Sequence, residues 1–97
     1  MSRFRVALDE MYGPEIDRVV LFGLRARGDS RRDSDYDVAV FLKSLPDRWA
    51  ELDRLADLRV RFLDDDGAFF DVKPYSAAAY LERTPLMREI RREGLEL

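Results

Sequence analysis

Apolar residues recur along this chain with two different periods. Phe4, Leu8, Met11 and Tyr12 fall at i, i+4, i+7 and i+8, which predicts an amphipathic helix over residues 2–12, ended by Gly13-Pro14. Val19-Val20-Leu21-Phe22 is a continuous apolar run of strand formers, the pattern of a short strand covered on both faces. Asp37 to Leu42 predicts a second strand. Pro46 suits the first position of a helix continuing to about Leu63, with Trp49, Leu52, Leu55, Ala56, Phe62 and Leu63 on its apolar side. Asp64-Asp65-Asp66-Gly67 predicts a turn, Ala68 to Val72 a third strand, and Ser76 the N-cap of a short helix through Leu81. Thr84-Pro85 opens a last helix by cap plus proline, and Gly94 closes it. The order αβ(turn)βαβαα predicts one α/β (α+β) domain over residues 1–97, a small mixed sheet flanked by helices.

Composition narrows the chemistry. The chain has no cysteine and no histidine, so disulfides, cysteine–zinc sites, histidine triads and histidine-ligated metals are excluded. A metal here is held by oxygen ligands, which favours Mg²⁺ or Mn²⁺. The net charge of −3 gives no basic surface for direct nucleic-acid binding. No apolar stretch is long enough to span a bilayer and the N-terminus lacks a signal-peptide core, so a cytoplasmic protein without a membrane partner is expected.

One stretch concentrates the functional signal. From Phe22 a strand runs into the loop Gly23-Leu24-Arg25-Ala26-Arg27-Gly28, and Asp35-Tyr36-Asp37 follows at the head of the next strand. Glycine at both ends of the loop lets the backbone turn sharply and approach a phosphate, while Arg27, and less directly Arg25, can add charge. Side chains alternate faces along a strand, so Asp35 and Asp37 share a side about 7 Å apart. Two such carboxylates repel unless a cation neutralises them. Asp71, inside the apolar run Phe69-Phe70-Asp71-Val72, is costly unless paired or liganded. Should the third strand lie beside the second, Asp35, Asp37 and Asp71 form one cluster suited to two metal ions about 3.5–4 Å apart.

This region resembles the minimal nucleotidyltransferase domain of the DNA polymerase β superfamily, whose signature is Gly-Ser, ten residues, then Asp-x-Asp. Gly23 and one further residue are followed by ten (Arg25 to Ser34) and then by Asp35-Tyr36-Asp37, a match without a gap. The Arg-Ala-Arg-Gly loop, Ser34 and the later acid Asp71 also fit, and residues 84–95 resemble the tail of these small domains. The resemblance implies a nucleotidyltransferase fold in which Asp35, Asp37 and Asp71 are catalytic and hold two Mg²⁺ ions, with ATP as substrate bound by Gly23, Leu24, Arg27, Gly28, Asp35 and Asp37. It further implies an MntA-like antitoxin that adds AMP to a tyrosine of a HEPN-domain RNase toxin and assembles with it as a hetero-oligomer. Leu24 stands where the family has serine. The hydroxyl lost there makes a hydrogen bond to a charged group, worth about 1.5–3 kcal/mol. Two alternatives follow: an antitoxin of the same fold that neutralises its partner by contact alone, or a small-molecule nucleotidyltransferase subunit.

Other eye-catching residues have ordinary readings. Asp64-Asp65-Asp66 reads as a solvated turn rather than a metal site, Arg91-Arg92 as a solvated helix face, and Tyr36 as packing on the side of its strand away from the acids. Trp49 reads as core or interface, not as a base-stacking platform.

Overall fold

The computed structural model describes residues 2–23, 36–67 and 69–97. Helix α1 (Ser2–Tyr12) leads through a 3-10 turn at Gly13–Glu15 into β1 (Ile16–Phe22). Strand β2 (Tyr36–Leu42) is followed by the long helix α2 (Arg48–Asp66) and by β3 (Phe70–Ser76). A 3-10 segment (Ala77–Leu81), helix α3 (Pro85–Glu93) and a two-residue strand β4 (Leu95–Glu96) complete the order. The sheet runs β3-β2-β1-β4, with β2 and β3 parallel and the other pairs antiparallel. Helix α2 is the crossover that a parallel pair requires. The expected mixed sheet flanked by helices is the observed architecture.

Both faces of the sheet are covered, as the near-continuous apolar runs of β1 and β2 require. On one face Val19, Leu21, Val38, Val40, Phe70 and Val72 pack against Phe4 and Leu8 of α1 and Leu55, Leu58 and Phe62 of α2. On the other, Val20, Ala39 and Phe41 meet Ala79 of the 3-10 segment and Met87 and Ile90 of α3.

Several boundaries differ from expectation, each for a physical reason. Pro46 is not the first position of α2 but precedes its cap, Asp47, whose side chain accepts from the Ala50 N–H at 3.2 Å. The helix runs on through Asp64, Asp65 and Asp66 and ends at Gly67, whose left-handed φ of 67° lets its N–H reach the Leu63 carbonyl at 3.0 Å. The buried stripe of α2 is Leu55, Leu58 and Phe62; Ala56 is exposed, Leu63 is 37% exposed and Trp49 is 77% exposed, so Trp49 is not core. Strand β3 continues to Ser76 through Pro74, tolerated because β3 is an edge strand. The segment after Ser76 is a 3-10 helix, and the Ser76 side chain makes no capping hydrogen bond. Thr84 does cap α3, its hydroxyl accepting from the Met87 N–H at 3.2 Å.

Gly94 closes α3 as expected, but not through a left-handed turn, since its φ is −73°. A Cβ there would strike the Val20 side chain and the Ile90 carbonyl, so glycine is what lets the end of α3 lie flush on β1. Arg91 is half-buried rather than fully solvated, whereas Arg92 is exposed. The Arg91 guanidinium donates to the carbonyls of Tyr80 and of Glu82, the latter at 2.9 Å, and ties the 3-10 segment to α3. Among the described residues, no helix is long and apolar enough to cross a membrane.

Candidate functional site

The register of the parallel pair builds the site. Val38 and Val72 are register partners and both are buried against α1 and α2; one residue earlier, Asp37 and Asp71 are partners too. Side-chain alternation sends both carboxylates to the opposite face, the side of Ala39 and Phe41. Neighbouring strands lie about 4.8 Å apart, so the two acids from distant parts of the chain stand side by side at the N-terminal ends of their strands. Both are half-buried.

Gly23 adds the third described element. Phe22 pairs with Asp37 across the antiparallel β1–β2 ladder, and Gly23 turns the backbone at the strand end with φ of 81°, a conformation L side chains rarely adopt. A Cβ on Gly23 would sit 2.5 Å from Oδ2 of Asp37. The space a side chain would need is occupied by the carboxylate, so the bare backbone of the loop entrance lies directly against the acid.

Beyond Asp71, the same face of β3 carries Lys73 and Tyr75. The Lys73 ammonium lies 3.9 Å from Oδ2 of Asp71. Tyr75 stacks on Phe41 with ring centroids 5.6 Å apart, and the Arg48 guanidinium sits 5.7 Å above its ring while donating to the Pro74 carbonyl at 3.3 Å. Burial pushes the Tyr75 hydroxyl above its usual range; Arg48 opposes the shift and the Asp71 charge adds to it.

Of the residues assigned from the sequence, Gly23, Asp37 and Asp71 are thus brought together. Leu24, Arg27, Gly28 and Asp35, together with Arg25, lie outside the described residues. Among the described residues, no three carboxylates gather as a metal cluster; Asp37 and Asp71 make a pair. Tyr36 points away from the acids and stacks on Phe70 at 5.1 Å, a packing role as expected. Lys73 was not anticipated, although the period-two spacing Asp71-Val72-Lys73 places it on the acids' face once the strand is known to continue.

Comparison with known proteins bears on the family and the fold. Residues 9–94 match the family described as Polymerase beta, Nucleotidyltransferase. A curated relative, "Putative protein adenylyltransferase MJ0141" of Methanocaldococcus jannaschii, is 37% identical over 46 residues, covering 47% of this chain and 46% of the relative. The chain therefore spans about half the length of the curated relative it matches. Among solved structures, a toxin-antitoxin crystallised with AMP-PNP superposes with a TM-score of 0.66 at 21% identity, over 97% of this chain and 69% of that one. A mutant MntA-HpeT toxin-antitoxin superposes with a TM-score of 0.69 at 18% identity, over 99% and 71%. At such identities the likeness shows the fold. Taken with the family match over most of its length, the chain belongs to the polymerase β nucleotidyltransferase family.

Proposed function

We propose that this chain is a metal-dependent nucleotidyltransferase, a protein adenylyltransferase acting as an antitoxin by transferring AMP to a HEPN-type RNase toxin. The observation that carries the reading is the in-register Asp37–Asp71 pair with the Gly23 backbone against the Asp37 carboxylate. The donor set fits a hard divalent cation: carboxylate oxygens alone, in a chain without histidine or cysteine. Asp37 and Asp71, joined by Asp35 from the motif, would hold Mg²⁺ or Mn²⁺. Two such ions supply charge stabilisation to the attacking and leaving oxygens of nucleotidyl transfer.

The chain's own residues do the rest. The sequence Gly23 to Gly28 would bind the triphosphate of ATP, with Arg27 adding positive charge. Asp71, on the edge strand beside Asp37, would hold the cation together with it. The acceptor hydroxyl oxygen bonds to the α-phosphorus as the bond to pyrophosphate breaks, and its proton leaves to solvent. A macromolecular acceptor is supported by the relative named for protein adenylylation and by fold neighbours crystallised as toxin-antitoxins.

Calorimetry of Mg-ATP binding to Asp37→Asn with Asp71→Asn tests the site. Binding is expected to disappear while circular dichroism stays that of the folded wild type, because an unliganded acid pair is not a support for the fold. Unchanged affinity would refute the assignment. Leu24, in place of the family's serine, favours a second reading in which the fold neutralises its toxin by contact alone. In the transfer reading, Leu24→Ser speeds labelling of the co-expressed partner from labelled ATP by about ten-fold. In the contact reading neither protein labels the partner, yet both inhibit it.

A further inference from the structure

Asp37 and Asp71 stand in adjacent register on one face of the sheet, where like charges directly opposite repel. A positive charge on the same strand face offsets part of that repulsion. Lys73 follows Asp71 by two residues on the same strand face, with its ammonium 3.9 Å from Asp71 Oδ2. Both groups are partly solvated, 51% exposed for Lys73 and 33% for Asp71, so the pair is weak enough to part.

The residue type fits such a role. Of the 17 cationic residues, only Lys43 and Lys73 are lysines. An arginine beside Asp71 would grip the carboxylate with a planar two-point fork, whereas a lysine ammonium is a compact charge on a flexible stem that can swing away. Resting on the reading of a cation site at Asp37 and Asp71, we propose that Lys73 is a positioning residue and placeholder for the cation. Its ammonium partly neutralises Asp71 and yields the carboxylate when the divalent ion binds. The ordinary role of a lysine on an edge strand, guarding against edge-to-edge pairing, makes no such demand on the carboxylates.

The two roles separate in a measurement that needs no turnover. Mg²⁺ is titrated calorimetrically, without nucleotide, into wild type, Lys73→Met and Lys73→Arg, with Lys73→Gln as a polar alternative should methionine at the sheet edge cause association. Thermal midpoints are recorded without metal. Removing the ammonium is expected to tighten Mg²⁺ binding by about two- to ten-fold, the reach of a partly solvated charge on a divalent ion. The metal-free midpoint is expected to fall at the same time, and to do so less in an Asp71→Asn background. Lys73→Arg should keep the midpoint and bind Mg²⁺ no more tightly than wild type. Mg²⁺ binding by wild type that is unchanged or weakened in both Lys73→Met and Lys73→Gln overturns the placeholder alone. No Mg²⁺ binding by any variant overturns both the placeholder and the cation site. Tightened Mg²⁺ binding without nucleotide transfer by wild type leaves the placeholder standing and sinks the proposed activity.

Discussion

The two faces of the sheet are built to different ends. The face toward α1 and α2 is thick and aromatic: Phe4 stacks on Phe70 at 4.0 Å, and Phe62 meets both edge-on at 5.1 and 5.7 Å. The face toward α3 has a thinner cover, a 3-10 segment and a nine-residue helix, and it leaves Asp37, Asp71 and Lys73 reachable at the β3 side. Yet the strands are shared. Val38 and Val72 lock the register on one face that sets Asp37 beside Asp71 on the other, and a slip of one residue would bury both acids among phenylalanines. The packed face is therefore what positions the acid-bearing face.

The comparison is broken most severely on the packed side. Phe4→Ala removes a ring that is 1% exposed and contacts two other rings, at a cost of about 3–5 kcal/mol. That is a large part of the 5–15 kcal/mol by which domains are stable, so the urea midpoint should fall steeply and Mg-ATP binding should be lost only with the fold. A folded Phe4→Ala protein that fails to bind would mean that α1 acts on the site directly.

The same asymmetry explains what was legible in the sequence. Alternation around Phe70-Asp71-Val72 marked the acid-bearing strand, and the run Val38 to Leu42 marked its neighbour, because burial on both faces writes itself into composition. The pairing of Asp37 with Asp71 could only be conditional, since the register locked by Val38 and Val72 depends on their packing against α2, which neither strand's own pattern reveals. Lys73 and Pro74 read as the end of a strand because edge residues are free of the rules that govern a central one. Trp49 misled through periodicity: the stripe that α2 buries is Leu55-Leu58-Phe62, and Trp49 lies off it in the first turn. Strand β4 is two residues long and pairs Leu95 with Leu21, too short to carry any pattern.

On the thinner face, Gly94→Ala forces a methyl group into Val20 and the Ile90 carbonyl and should lift the end of α3 from β1. Overpacking of this kind costs about 1–3 kcal/mol. Hydrogen exchange is expected to quicken in α3 and β4 while α1 and α2 keep their protection. Uniform loss of protection would show that the two faces unfold as one.

Gly23→Ala sharpens the contrast from the other direction. It combines a φ of 81° with a Cβ 2.5 Å from Asp37 Oδ2, so the carboxylate or the loop entrance must move. The strain costs about 1–2 kcal/mol of stability. Mg-ATP affinity should nevertheless fall by about ten-fold or more, on the scale of one lost hydrogen bond to a charged group. An alanine variant with wild-type affinity would separate the glycine turn from the binding site.

The smallest effect concerns two tyrosines, one on each side of the sheet. Tyr12 packs against the α1–α2 core beneath the Arg54 guanidinium, 5.0 Å from its ring, and burial raises its pKa strongly, with the neighbouring Glu51 carboxylate adding to the shift and Arg54 opposing it. Tyr75, on the acids' side, is raised by burial, opposed by Arg48 and reinforced by Asp71. A tyrosine with a raised pKa keeps its proton in the folded state at a pH where the unfolded chain, titrating near the usual value of about 10, has lost it. The folded state then binds more protons, so stability is fully present below pH 10 and declines as pH rises above it. Urea midpoints followed from pH 8 to pH 11.5 should be flat at first and then fall. Tyr12→Phe removes the larger shift and should flatten the alkaline decline more than Tyr75→Phe does. Equal flattening by the two variants would mean that burial on the two faces penalises a phenolate alike, and that the thinner cover over the acids is as dry as the aromatic core.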